Sequence, residues 1–401
     1  LVSGCVFDFN STGCGGDGVY GSYFGTLGGD GGDGGAIYSQ TGIQLLNCTL
    51  TNNCCGNGGK GGDAGAFSRD GGNGGSGGAI YAASDLTMIG CTIAANLACA
   101  GGGGGYADSG FLGQGGSGGS GGGIHGPLSG STGTLLLTNC TLTANCAGDG
   151  GADPLSRSIG GSGGGVYAGW SNHAIVSCTL VSNSVGFGGV YGRDGLGGGI
   201  CFDAVTKPVF MNDLVAQNVG PRFGLLGAGP DIIGAVTSLG YNLIGATNGT
   251  DGFTMSGDLT GSLDLPLDPK VGALADNGGP TRTMALLPGS PAIDAGTALG
   301  VPATDQRGVP RPQGPAVDIG AIEYLYSPVF TGLTIQDTTN RQLQLTGLTP
   351  NPTLTVQAST NLLEWFDVTN FVTGADGAFQ YLDPISGAVP IRFYRLKSES
   401  P

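Results

Sequence analysis

The chain has 401 residues, of which 86 are glycine and only 11% are charged, with a formal net charge of -15. That balance excludes nucleic acid and anionic membrane surfaces as partners, because both need clustered Lys and Arg; the absence of a strict Gly-X-Y period excludes collagen. No apolar run reaches the roughly 18 residues of a membrane-spanning helix.

The 11 cysteines beside 2 histidines fit an oxidising, extracellular or cell-surface setting better than a zinc protein. The chain opens at Leu1 with no leader-like stretch, which reads as a processed form or a fragment. The first element, "CVFDFN", then returns along the chain. Cys5, Cys48, Cys91, Cys140 and Cys178 are each followed at a fixed offset by Asn10, Asn53, Asn96, Asn145 and Asn183, with Phe7, Leu50, Ile93, Leu142 and Leu180 between. A sixth copy, "NDLVAQN", puts Asp213 in the cysteine place and Asn218 at the end. Period-two alternation points the cysteine and the aliphatic residue into one interior, where cysteine serves as a compact apolar filler and large aromatics would not fit. The asparagines are expected to stack as an amide ladder.

A second ladder precedes each copy. In "GGAIY", "GGAIY", "GGGIH", "GGGVY" and "GGGIC", Ile37, Ile80, Ile124, Val166 and Ile200 point inward, and Tyr38, Tyr81, His125, Tyr167 and Cys201 point outward. Fixed strands joined by elastic glycine segments describe stacked coils, an all-β parallel β-helix over residues 1–325 with at least two strands per coil. The glycine segments predict polyproline-II-like legs packed side by side, with flexible linker as the competing reading. "GGDGGDGGA" (28–36) resembles one calcium-binding nonapeptide but has no tandem copy, so calcium is the lesser reading and no other cofactor is expected. Cys14, Cys54, Cys55, Cys99 and Cys146, beside the asparagine corner, are candidates for disulfides between neighbouring coils.

From residue 229 the segments "GPDIIGAVTSLGYNLIG", "ADNGGPTRTMALLPGSPAIDAG" and "TDQRGVPRPQGPAVDIGAIEY" follow. Together with the coils, residues 30–325 resemble the secreted bacterial choice-of-anchor Q domain proteins, relatives of the polymorphic outer-membrane repeat group. The resemblance implies an extracellular right-handed β-helix with a C-terminal cap at about 230–325, in which Asp294, Arg307 and Asp318 are structural. The long glycine inserts depart from that pattern, as does an end without a sorting or membrane anchor. Residues 326–401 alternate as a small β-sandwich and resemble short fibronectin-III-like modules; Trp365, Phe366, Phe393 and Tyr394 are expected in core or interface.

No catalytic constellation emerges. Arg193 with Asp194 and Asp203 with Lys207 read as surface ion pairs, and neither His125 nor His173 has a nucleophile or metal partner at a meaningful spacing. The sequence therefore predicts a non-enzymatic extracellular structural protein, a homo-oligomer or homopolymer joined head to tail. The alternative is a monomeric adhesin for cell-surface glycans, and a polysaccharide lyase or hydrolase is the weaker third reading.

Overall fold

A computed structural model describes residues 1–126, 133–152, 157–169, 173–189, 191–202, 207–222, 229–325, 329–335, 340–346, 353–372, 379–384 and 392–398. The chain divides into two compact units, Leu1–Arg311 with Asp318–Ile322, and Pro312–Val317 with Glu323–Pro401. Among the described residues every regular element is a strand.

The first unit holds three large parallel sheets: the first contains Ile43–Leu46, the second Thr49–Thr51 and the third Ile37–Ser39. The chain visits them in rotation, for example Ile37–Ser39, Ile43–Leu46 and Thr49–Thr51, then Ile80–Ala82, Leu86–Ile89 and Thr92–Ala94. Equivalent strands pair in register from circuit to circuit: Leu50 with Ile93, Ile93 with Leu142, Leu142 with Leu180 and Leu180 with Val215. Each circuit thus has three strands where the two sequence ladders account for two. The additional strand, such as Leu86–Ile89 or Leu135–Thr138, alternates over only four residues, too few to mark a strand against its glycine-rich background.

Sharp corners separate the strands, and the two that flank the cysteine-bearing strand each turn on a residue with positive φ. Before the cysteine position these are Gly4, Asn47, Gly90, Asn139, Ser177 and Asn212; before the ladder asparagine they are Phe9, Asn52, Ala95, Ala144, Ser182 and Gln217. Asparagine tolerates this left-handed conformation better than most side chains, which explains the Asn preceding Cys48 and Cys140.

The interior is apolar and fully buried over most of the stack. Cys48, Cys91, Cys140 and Cys178 are fully buried with Leu50, Ile93, Leu142 and Leu180, while Cys5 in the first circuit is only half-buried. The expectation that large aromatics are excluded fails at the far end. Phe210 is fully buried and packs edge-on against Phe202 and Phe253, at ring distances of 6.2 and 5.6 Å.

Residues 231–260 add further strands to all three sheets. The chain then runs back along the side of the stack as a strap rather than lying only across its end. Thr281 Oγ1 donates to the Gly90 carbonyl at 2.9 Å, Asn139 Nδ2 to Thr304 O at 2.8 Å, and Ala321 N to Thr179 Oγ1 at 3.0 Å. Gln306 is buried beneath it, donating to Cys91 O and Thr92 Oγ1 and accepting from Thr141 Oγ1. This strap is why the outward threonines 92, 141 and 179 of the second sheet are buried.

The second unit contains two three-stranded antiparallel sheets. One is built from Val329–Ile335, Asn340–Thr346 and Phe379–Pro384, the other from Phe366–Val372, Thr353–Ser359 and Phe393–Ser398. Leu343 and Leu345 of the first sheet share a core with Leu354, Val356 and Phe371 of the second. Tyr394 packs against that core and donates its hydroxyl to Asp383. Phe366 and Phe393, expected in core or interface, lie outside the core and are exposed, and Trp365 is half-buried under the Arg395 guanidinium at 4.3 Å. Strand alternation explains the difference: Phe393 precedes the inward Tyr394, so it points the other way.

Candidate functional site

The glycine segments leave the stack after the asparagine corner, run outward, turn and return. Their legs are hydrogen-bonded to one another at three-residue steps, the repeat of polyglycine in the polyproline-II form. Gly15, Gly18 and Gly21 donate to Asn57, Lys60 and Asp63, and on the returning side Gly28, Gly31 and Gly34 donate to Asp70, Asn73 and Ser76. A second set crosses between outgoing and returning legs as an unbroken zigzag: Gly32 to Gly13, Gly56 to Gly32, Gly75 to Gly56, Cys99 to Gly75, Gly119 to Cys99 and Gly148 to Gly119, each at 2.8–3.1 Å.

The triplet Gly71-Gly72-Asn73 shows the rule. Gly71 N–H goes to Gln114 O in the next circuit and Gly72 N–H to Gly59 O in the opposing leg. The Asn73 N–H is taken by a side chain, Asp30 Oδ1, at 2.6 Å. Elsewhere Asp17 takes the Lys60 N–H, Asp33 that of Ser76, Asn57 that of Ala100, Asp70 that of Gln114, and Asp149 that of Phe187. All three amides of the triplet are satisfied, which is what permits so much backbone to be ordered. Asp30 and Asp33 are therefore amide acceptors in this bundle; burial pushes the Asp33 carboxyl above its usual range. The preference for Asp, Asn or Ser as third residue of the triplet was a signal the ladder reading missed.

The tips of the legs carry an aromatic ridge. Phe24, Phe67 and Phe111 stack from circuit to circuit at 5.4 and 5.0 Å, with Tyr23 edge-on to Phe67 at 5.6 Å. The Arg69 guanidinium lies 5.1 Å from the Phe24 ring, and the Lys60 ammonium 5.5 Å from Tyr106. Tyr20 is 65% exposed, Phe24 50% and Phe111 60%, with Val19 and Leu27 exposed beside them. An apolar ridge of this kind, held out on ordered legs, has the character of a contact surface.

The other ladders lie inside or along the stack. In the asparagine ladder both the backbone N–H and Nδ2 of each member donate to Oδ1 of the next: Asn10 to Asn53, Asn53 to Asn96, Asn96 to Asn145, Asn145 to Asn183 and Asn183 to Asn218, all at 2.8–3.1 Å. It ends on Asp231, whose Oδ1 accepts from Asn218 and whose Oδ2 accepts from Ala246 N. In the cysteine ladder Cys48 N reaches Cys91 Sγ and Cys140 N reaches Cys178 Sγ, both at 3.4 Å, and Cys178 N is taken by Asp213 Oδ1 at 2.8 Å. Of the corner cysteines Cys14 is exposed, Cys55 buried and Cys146 half-buried, while the sulfurs of Cys54 and Cys99 lie 2.8 Å apart.

Outside the sheets, Tyr38, Tyr81, His125 and Tyr167 stack at 5.1, 4.6 and 5.2 Å. His125 is buried between the tyrosines and its Nδ1 has no partner, so burial pulls its pKa down to about 4. His173 accepts from Leu135 N through Nδ1 and bonds Gly169 O through Nε2, a purely structural role.

A depressed histidine pKa contributes stability that is complete above the ordinary value near 6.5 and is lost as pH falls toward 4, about 3 kcal/mol in all. Asp231 runs the other way: burial raises its pKa to about 6, so its contribution is lost as pH rises from about 4 through 6. His125→Tyr continues the tyrosine stack without the buried imidazole. Its melting temperature is expected to fall less than that of the parent between pH 6.5 and 4; an unchanged acid profile contradicts the assignment.

Of the two expected ion pairs, the one at Asp194 is made with a different arginine. Asp194 binds Arg222 rather than Arg193, at 2.9 Å, because Arg222 lies in the neighbouring circuit and also reaches Gly188 O. That contact holds the Asp194 carboxyl low, against the effect of its partial burial. Lys207 is described, but Asp203 lies outside the described residues. Arg307 pairs with Asp305 at 2.7 Å, and Asp318 Oδ1 accepts from Asp294 N, so these cap residues organise the strap locally. No group of three or more His, Cys, Asp or Glu suited to a metal occurs among the described residues. No family model, curated protein or solved structure matches the chain.

Proposed function

We propose that this chain is a non-enzymatic extracellular structural protein that associates with copies of itself into a fibre or surface layer. The observation that supports it is the ridge of Tyr23, Phe24, Phe67 and Phe111, carried outward on hydrogen-bonded glycine legs. In this reading the sheets form a right-handed parallel β-helix, the second unit is a fibronectin-III-like sandwich, and the chain is akin to the choice-of-anchor Q domain proteins. Head-to-tail contact would continue the parallel sheets from copy to copy by pairing strand edge to strand edge. The ridge adds a lateral contact.

The stacking of the ridge favours self-association over the glycan adhesin. Sugar binding uses an open aromatic face, whereas Phe24 and Phe67 turn their faces on each other, 23° from parallel, leaving apolar edges outward. Electron microscopy and light scattering of the purified protein test this. Concentration-dependent polymers are expected, weakened by combined Tyr23→Ser and Phe111→Ser; a monodisperse monomer at high concentration overturns the reading, and glycan-array binding lost in that variant would favour the adhesin.

A further inference from the structure

Cys54 and Cys99 sit at the base of neighbouring glycine legs, where the chain leaves the asparagine corner. Their sulfurs are 2.8 Å apart, and both approach one acceptor, Cys55 O, at 3.3 and 2.8 Å. Backbone bonds on either side fix the legs: Cys55 N to Leu97 O at 3.1 Å and Gly58 N to Ala100 O at 2.9 Å. The pair is thus delivered by a register the fold already enforces, and two thiols crowd one carbonyl. We infer that Cys54 and Cys99 form a disulfide that pins adjacent legs of the glycine bundle together.

The chemistry is thiol–disulfide exchange with a low-molecular-weight disulfide such as oxidised glutathione. Cys54, half-buried, is the accessible partner; buried Cys99, its thiol pKa raised by burial, is the resolving one. The Cys54 thiolate attacks one sulfur of the oxidant and releases one glutathione thiolate. Cys99, losing its proton, then attacks the Cys54 sulfur and releases the second. Two electrons and two protons pass from the protein to give two reduced glutathiones. The closed loop spans one circuit, since the two residues are 45 apart. The interior sulfurs provide a contrast. Cys91 and Cys140 are fully buried and point at backbone carbonyls 3.3–3.5 Å away, so they are out of reach of the oxidant.

Native protein incubated with oxidised glutathione, then alkylated and peptide-mapped, tests the assignment. The expected result is a cross-link joining the peptides of Cys54 and Cys99, retained in Cys55→Ser and absent in Cys54→Ser, with Cys91 and Cys140 alkylated only after unfolding. The oxidised parent should also melt several degrees above its reduced form, a difference that disappears in Cys54→Ser. Recovery of both residues as free thiols in the folded, oxidant-treated parent overturns the inference, as does a cross-link of either one to Cys14 or Cys55.

Discussion

Asn145→Asp is expected to destabilise the first unit by about 4 kcal/mol at neutral pH, although the two side chains have almost the same shape. Asn145 is fully buried and works in both directions: Oδ1 accepts from Asn96, while Nδ2 donates to Asn183 Oδ1 and Ile93 O, both at 2.9 Å. A carboxylate retains the first function and turns the second into oxygen facing oxygen. Because a protonated acid regains one donor, the deficit should shrink on going from pH 8 to pH 4. The position of Asp231 is the mirror case. Its oxygens receive only N–H groups, from Asn218 and Ala246, so Asp231→Asn aims an amide donor at another donor and should cost about 2 kcal/mol. Urea unfolding of the two variants checks both. If Asn145→Asp is as stable as the parent, directional amide bonding is not what holds that corner.

The stack was legible because it repeats. A cysteine, an aliphatic residue and an asparagine at fixed offsets mark the second sheet, and Ile80 or Val166 after its glycines marks the third. The first sheet was less legible, since Leu135–Thr138 reads "LLLT" and Ala174–Val176 reads "AIV", with no residue type common to all copies. The strap and Gln306 were hidden for another reason: a side chain that bonds Cys91, Thr92, Thr141 and Thr281 leaves no periodic trace. The same holds for Cys54 and Cys99, since several corner cysteines were candidates and only three-dimensional register brings two sulfurs together.

The ridge shares the period of the ladders but lies within the glycine segments, whose lengths vary along the chain. Tyr38, Tyr81 and Tyr167 also carry a visible period, but their stack is only partly covered: Tyr38 is 52% exposed and His125 4%. Phe24, Phe67 and Phe111 recur at spacings of 43 and 44, as Tyr38, Tyr81 and His125 do, so the period alone does not tell which aromatic row is held outward; the legs beneath the phenylalanines, sharing a three-residue hydrogen-bond step, do that.

That dependence makes the legs the most sensitive part of the molecule to a single methyl group. Gly102 donates to Gly72 O at 2.7 Å and accepts from Gly116 N at 2.8 Å, and a Cβ there would overlap the Gly59 carbonyl. The obstacle is backbone, itself bonded on both sides, so it cannot swing away as a side-chain end would. Gly102→Ala is therefore expected to cost about 3 kcal/mol, at the upper end of overpacking effects. Amide exchange should accelerate along 56–75 and 99–119, while Leu142 and Leu180 in the stack remain protected. Gly16→Ala is the matched control: a Cβ at Gly16 meets nothing within 4 Å, so stability should change by about 0.5 kcal/mol or less. Equal behaviour of the two variants would mean that the legs are not packed backbone to backbone, and the ridge they carry would then have no fixed shape to offer a second copy.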